Sequence, residues 1–151
     1  MKWALGIILL CVIVLAGCTD NSPHNGVIIK KEIYPELMDP DNEYVYEFRG
    51  HSSNWEAVFF IYKTKTAERA ATKTVLVYTG KDSLPTGELS APYIAQDITG
   101  GGSLTIDKAP EQGIYVFGPS AFPASPDQES PIQLLVHWST HAEVIELKPA
   151  T

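Results

Sequence analysis

From Val27 onward the chain alternates short apolar runs with polar breaks rich in Gly, Pro, Asn and Asp. Apolar residues recur at every second position, which is the period of a strand with one face buried. The pattern predicts strands over 27–33 (VIIKKEI), 43–49 (EYVYEFR), 55–64 (WEAVFFIYKT), 73–79 (KTVLVYT) and 91–98 (APYIAQDI). It predicts four more over 103–107 (SLTID), 113–117 (GIYVF), 132–138 (IQLLVHW) and 142–148 (AEVIELK). In EYVYEFR, Tyr44, Tyr46 and Phe48 share one face while Glu43, Val45, Glu47 and Arg49 share the other, as in a half-buried strand. Thr66 to Thr72 (TAERAAT) carries helix-forming Ala and Glu but is too short to hold a helix without packing, so it reads as a polar connection. Eleven prolines and eleven glycines, gathered at strand ends, complete the signature of an all-β fold: an antiparallel β-sandwich, immunoglobulin-like in architecture.

Two stretches depart from simple alternation. Ala57 to Tyr62 (AVFFIY) is apolar on both parities, so its second face needs cover from a loop or a partner, and Phe60 is the candidate contact. Gly118 to Pro131 (GPSAFPASPDQESP) places four prolines around one aromatic, Phe122. A long proline-stiffened connection of this kind is a functional loop or a tolerated insertion, and Phe122 is the second candidate partner contact.

The first residues follow a different rule. Lys2 gives a positive start and Trp3 to Ala16 an apolar run broken only by Gly6, after which Thr19 and Asp20 are polar. The run falls short of the roughly 20 residues that span a bilayer, and reads as a signal segment with n- and h-regions. Leu15, Ala16, Gly17 and Cys18 match the bacterial lipoprotein lipobox at every position. That resemblance implies cleavage between Gly17 and Cys18, a diacylglycerol on the Cys18 sulfur and acylation such as palmitate on the new amino group. An ordinary secretory signal with an incidental Cys is the alternative. The organisation expected is a signal peptide over 1–17, a lipidated Cys with polar tether over 18–26 (CTDNSPHNG), and a β-sandwich domain over 27–151.

Composition narrows the partners. The formal net charge is −7, and removal of Lys2 with the signal makes it one unit more negative. No basic stripe is present to neutralise phosphates, so nucleic acid is excluded as an expected partner, and an acidic domain stands off anionic headgroups. Cys11 leaves with the signal and Cys18 becomes a thioether, which leaves no free thiol, disulfide or cysteine metal ligand.

A second resemblance covers roughly residues 45–148. Gly50, Ser52, Asn54 and Trp55 in FRGHSSNWEAVFFIY, and Trp138 and Glu143 in IQLLVHWSTHAEVIEL, resemble small, mostly uncharacterised lipoproteins of Firmicutes. Tyr78, Thr79, Gly80, Gly87 and Leu89 fit the same pattern loosely. The resemblance implies an envelope location and a β-sandwich, and no activity. Independently of it, Gly50 to Asn54 is a turn that releases the chain into a strand led by Trp55, placed as a core plug, the other reading being an exposed ligand-stacking aromatic.

Candidate chemistry is sparse. His137 and His141 have a metal-pair spacing, but on strands they bracket a hairpin turn, and no Glu follows the first as a metalloprotease motif requires; His24 and His51 are isolated. Asp39, Asp41 and Glu43 alternate as calcium ligands would, yet Tyr44 and Gly50 stand where an EF-hand needs Gly and Glu, so a solvated turn is the default. Gly100, Gly101 and Gly102 lack the Lys-Ser/Thr of a phosphate loop, and Ser103 is outside any nucleophile elbow. The expectation is a non-enzymatic protein with no cofactor and no metal, held on the extracytoplasmic face of the cell membrane through lipid on Cys18. It would act there as a protein-interaction or envelope module with an envelope protein as partner, the alternative being a small-ligand or metal-binding surface receptor.

Overall fold

The computed structural model describes residues 29–150. The expected signal peptide, Cys18, the whole tether and the first two residues of the expected domain therefore lie outside the described residues. Ten strands follow two short 3-10 turns, Lys31–Ile33 and Pro35–Leu37. The strands are β1 (Asn42–His51), β2 (Trp55–Thr64), β3 (Ala70–Tyr78), β4 (Gly87–Ser90), β5 (Tyr93–Ala95), β6 (Ile98–Gly100), β7 (Ser103–Ile106), β8 (Ile114–Phe122), β9 (Ile132–Trp138) and β10 (His141–Pro149). Every pairing is antiparallel, in the order β6-β5-β9-β10-β1-β2-β3-β8, with β4 bridging β9 and β7. The fold is all-β and sandwich-like, a sheet that curls until it nearly closes into a barrel.

Closure depends on β10. Residues 141–147 pair with β9, then Lys148 and Pro149 pair with Arg49 and Phe48 of β1, so one strand passes from one layer to the other. Gly50 makes that passage possible, because a Cβ there would run into the Glu146 carbonyl oxygen.

Alternation places the main core. Phe48, Phe59, Leu76, Tyr93, Tyr115, Leu134 and Ile145 fill the interior between the layers. Trp55 is wholly buried, and Tyr78, Tyr115 and Trp138 meet its ring edge-on at 5.0, 5.5 and 5.4 Å. It is the core plug that its place after the Gly50–Asn54 turn implied.

The predicted strand over 27–33 does not form where it is described. Lys30, Lys31 and Glu32 offer no second apolar face, Ile33 is exposed, and the chain turns instead. Residues 29–37 make a strap across the outside of β1, β2 and β3. Ile29 and Leu37 are buried on Val58, Phe60, Tyr62, Val75 and Val77, forming a second apolar cluster outside the first. Lys73 points out of β3 into this layer, where its ammonium lies 2.5 Å from Glu36 and 4.8 Å from the centre of the Tyr34 ring. The hydrogen bond from Lys73 holds the Glu36 carboxyl below its ordinary range. Arg49 donates to the Ile29 carbonyl at 2.7 Å and Asn42 to the Glu36 carbonyl at 3.0 Å. The strap thus runs from the Arg49 end of β1 to its Asn42 end.

Two further boundaries moved. The stretch read as one strand over 91–98 breaks into β5 and β6 at Gln96, whose φ of 56° lies in the left-handed region. Strand β8 continues past residue 117 to Phe122, so the proline-rich connection is shorter than the sequence suggested.

Candidate functional site

The two ends of the sandwich carry different chemistry. At one end β1 finishes at His51 and β2 starts at Trp55, and a three-residue turn joins them. Glu143 reaches that turn from β10. Its carboxylate accepts from the Ser52 hydroxyl at 2.5 Å, the Asn54 amide side chain at 2.6 Å and the Asn54 backbone N–H at 3.1 Å. The Ser52 N–H closes the turn on the Trp55 carbonyl at 2.8 Å, and the Asn54 carbonyl takes the Thr79 N–H at 2.8 Å. Partial burial alone would raise the Glu143 pKa; the Ser52 and Asn54 hydrogen bonds outweigh it, with nearby His141, and hold the carboxyl below its ordinary value.

Several residues named in the second resemblance lie in or beside this clamp. Ser52, Asn54, Thr79 and Glu143 bond to one another, Gly80 lies against Tyr78 and Asn54, and Trp138 packs on Trp55 and pairs with Leu89. The Glu143 carboxylate's bonds are spent on ordering the Ser52–Asn54 turn.

At the opposite end β1 begins, β2 and β8 finish and β3 begins. Here a groove of about 500 Å³ opens between the β1–β2 rim and residues 123–126, which form its far wall. The β1–β2 ladder jumps from Asn42–Thr64 to Tyr44–Lys63, a bulge that sets Glu43 and Tyr44 together across from Lys63. Lys63 donates to Glu43 at 2.8 Å, which raises the ammonium's pKa. Tyr44 and Tyr46, two apart on the inward face of β1, stack with centroids 4.6 Å apart and planes 13° from parallel. Burial raises the Tyr44 phenol's pKa, so its hydroxyl stays a neutral hydrogen-bonding group at ordinary pH. Arg69 and Glu68 reach the groove from the turn before β3.

The two expected partner contacts are core residues. Phe60 is 0 % exposed because the strap covers the second face of β2 with the chain's own Ile29, Tyr34 and Leu37. Phe122 is 1 % exposed because β8 extends to it and turns it inward, 6.3 Å from the Tyr93 ring. Neither offers a face to a partner. Phe122 lies beneath the groove, and the prolines after it build the wall.

His137 and His141 bracket the two-residue turn between β9 and β10, with His141 stacked on Trp138 at 5.4 Å. Asp39 accepts the Asp41 N–H at 2.9 Å as a turn-forming aspartate, while Glu43 serves Lys63. No group of three or more His, Cys, Asp or Glu able to hold a metal occurs among the described residues. Gly101, with a φ of 132°, lies in the turn joining β6 and β7, where a Cβ would strike Pro92. Tyr44, Tyr46 and Arg69 were missed as site residues; the available signal was a pair of tyrosines on one strand face at the strand's start, where a barrel mouth opens.

No protein-family model, no curated protein and no solved structure matches this chain.

Proposed function

We propose that this chain is a lipid-anchored extracytoplasmic binding module whose contact surface is the mouth groove. The anchor rests on Lys2, the apolar run and Leu15-Ala16-Gly17-Cys18. One acyl chain holds a protein only marginally, at about 0.8 kcal/mol per buried methylene, so a diacyl thioether with an added amide-linked chain is what stable retention needs. The observation that carries the binding reading is geometric. Ile29 is fastened near the His51 end of β1 by Arg49, whereas Tyr44, Tyr46, Lys63 and Arg69 gather at the other end. A tether leading from Cys18 therefore joins the domain at its clamp end and leaves the groove facing away from the attachment.

The groove's volume also falls within the range of small-molecule sites, which favours the receptor reading as the second possibility. Palmitate labelling tests the anchor: wild type is expected to take up label and Cys18→Ala to remain an unlabelled precursor, and unlabelled wild type would defeat it. A photoreactive residue at exposed Ala124, in the groove wall, tests the contact; an adduct in cells is expected there, and silence at 124 with an adduct at the clamp end would move the site.

A further inference from the structure

We infer that the gap in the nearly closed barrel takes an uncharged polypeptide segment as an added strand. The site is separate from the mouth groove and does not depend on the reading above. The sheet runs out on two edges: β8 pairs only with β3, while β6 and β7 pair only with β5 and β4. Across the gap the contact is made by a side chain and not by a ladder, since a Cβ on Gly102 would meet the Phe117 ring at 3.8 Å. The phase of β8 fixes what it offers there. Tyr78 donates to the Gly113 carbonyl at 2.9 Å, and the register from Val77–Ile114 to Thr74–Phe117 then turns the backbone groups of Ile114 and Val116 away from β3. Neither residue's N–H or carbonyl has a partner among the described residues. Beyond Phe117 two residues, Gly118 and Pro119, stand against Lys73, a bulge that bends β8 off the line along which it would close on β6 and β7.

The bulge leaves a cavity of about 200 Å³ between residues 117–120 and the Gly101–Gly102 turn. Its polar side chains are all hydroxyls, from Thr72, Thr74, Tyr93 and Ser120, and no charged side chain lines it. Thr72 and Ser120 bond to each other at 2.7 Å. Tyr93 is 2 % exposed, and its hydroxyl, lying under Gly100 where a Cβ would strike it, has no hydrogen-bond partner. Burial raises its pKa, with the nearby Thr72 hydroxyl tempering the rise, so it stands as a neutral donor. These features select one occupant. A charged ligand would lose its water with no counter-charge to meet it, and a hydrocarbon would leave the Tyr93 hydroxyl unmet. A small polyol meets that hydroxyl but not the row of backbone groups at Ile114 and Val116. An extended peptide meets both: its backbone pairs with that row, and its next inward side chain passes Phe117 into the cavity, where a Ser, Thr or Asn reaches Tyr93.

The test is amide chemical-shift titration of the full chain in detergent with three acetylated, amidated hexapeptides: Val-Ser, Val-Thr and Val-Asn, each repeated three times. At least one is expected to give saturable shifts at residues 114–120 and 99–102, and the same peptide N-methylated at alternate residues, which removes its ladder donors, is expected to give none. Tyr93→Phe is expected to weaken binding by about threefold to tenfold while keeping or raising the melting temperature, because it deletes a buried hydroxyl that has no partner in the free protein. Absence of shifts with all three peptides overturns the inference, as do shifts confined to the mouth groove, equal binding by the N-methylated peptide, or wild-type affinity in Tyr93→Phe. A lowered melting temperature in Tyr93→Phe overturns it too, since the hydroxyl would then be serving the fold. Crosslinking at position 124 reads the mouth groove alone, so either site can fail while the other stands.

Discussion

Removing the Glu143 carboxylate is expected to loosen the end of the sandwich that it closes. Glu143→Ala deletes the acceptor of three hydrogen bonds, two from Asn54 and one from Ser52. Hydrogen bonds to a charged group contribute about 1.5–3 kcal/mol each in net terms. The full sum does not apply, because Glu143 is only half-buried and water can reach the freed side-chain donors. The backbone N–H of Asn54 is harder to satisfy, since the turn that carries it is pinned by the Ser52–Trp55 and Thr79–Asn54 backbone bonds. The expected loss is about 2–3 kcal/mol, which moves a urea midpoint by roughly 1 M for a denaturant slope of roughly 2 kcal/mol/M. Glu143→Gln keeps the shape but turns one acceptor into a donor facing donors, so it recovers only part of the loss, and a double-mutant cycle with Asn54→Ala is expected to give clear coupling. Acid supplies a second readout. The native carboxyl titrates below its ordinary 4.5, so its contribution is complete above that pH and is lost as the pH falls through the native value. The gap between wild type and Glu143→Ala, followed by Trp55 and Trp138 fluorescence, is thus expected to narrow in acid. A variant within about 0.5 kcal/mol of wild type at neutral pH, or a gap that does not change with acid, would refute the clamp.

Phe60→Ala is expected to cost about 3–5 kcal/mol in urea unfolding, the cost of emptying a core site, and a loss below 1 kcal/mol would mean that the strap does not cover β2. Lys73→Met is expected to be nearly neutral, because a residue of similar length keeps the apolar packing and removes the charge, whereas Glu36→Gln strands the 7 % exposed Lys73 with only the Tyr34 ring and destabilises more. The reverse order in thermal unfolding would contradict the assignment of Glu36 as the partner that makes the buried ammonium tolerable.

Strand alternation was legible wherever one face is buried and the other wet, as in β1, β9 and β10, whose limits lie within about two residues of those read from sequence. The failures have physical causes. The apolar residues of VIIKKEI read as strand periodicity, but from Ile29 onward the chain serves a sheet face from outside, needing Ile29 and Leu37 as plugs and no ladder. Doubly apolar β2 announced that something covers its second face, yet nothing local in AVFFIY says whether that cover comes from the same chain. The clamp was half visible: Ser52, Asn54 and Glu143 could each be singled out, but a contact across some 90 residues of separation is set by how β10 crosses layers at Gly50. The mouth groove was hardest to see, because it needs the ends of four strands and the proline wall together, and its lining comes from separate stretches near residues 43–46, 63–70 and 122–126.

Hydrogen exchange of the chain in native envelope vesicles, compared with the same chain in detergent, tests most directly whether the molecule works through its mouth. Protection in vesicles is expected at residues 43–46, 63–70 and 122–126, with the Ser52–Asn54 turn and the 139–140 turn unchanged. Protection confined to the clamp end, or exchange identical in both settings throughout the groove, would contradict the account.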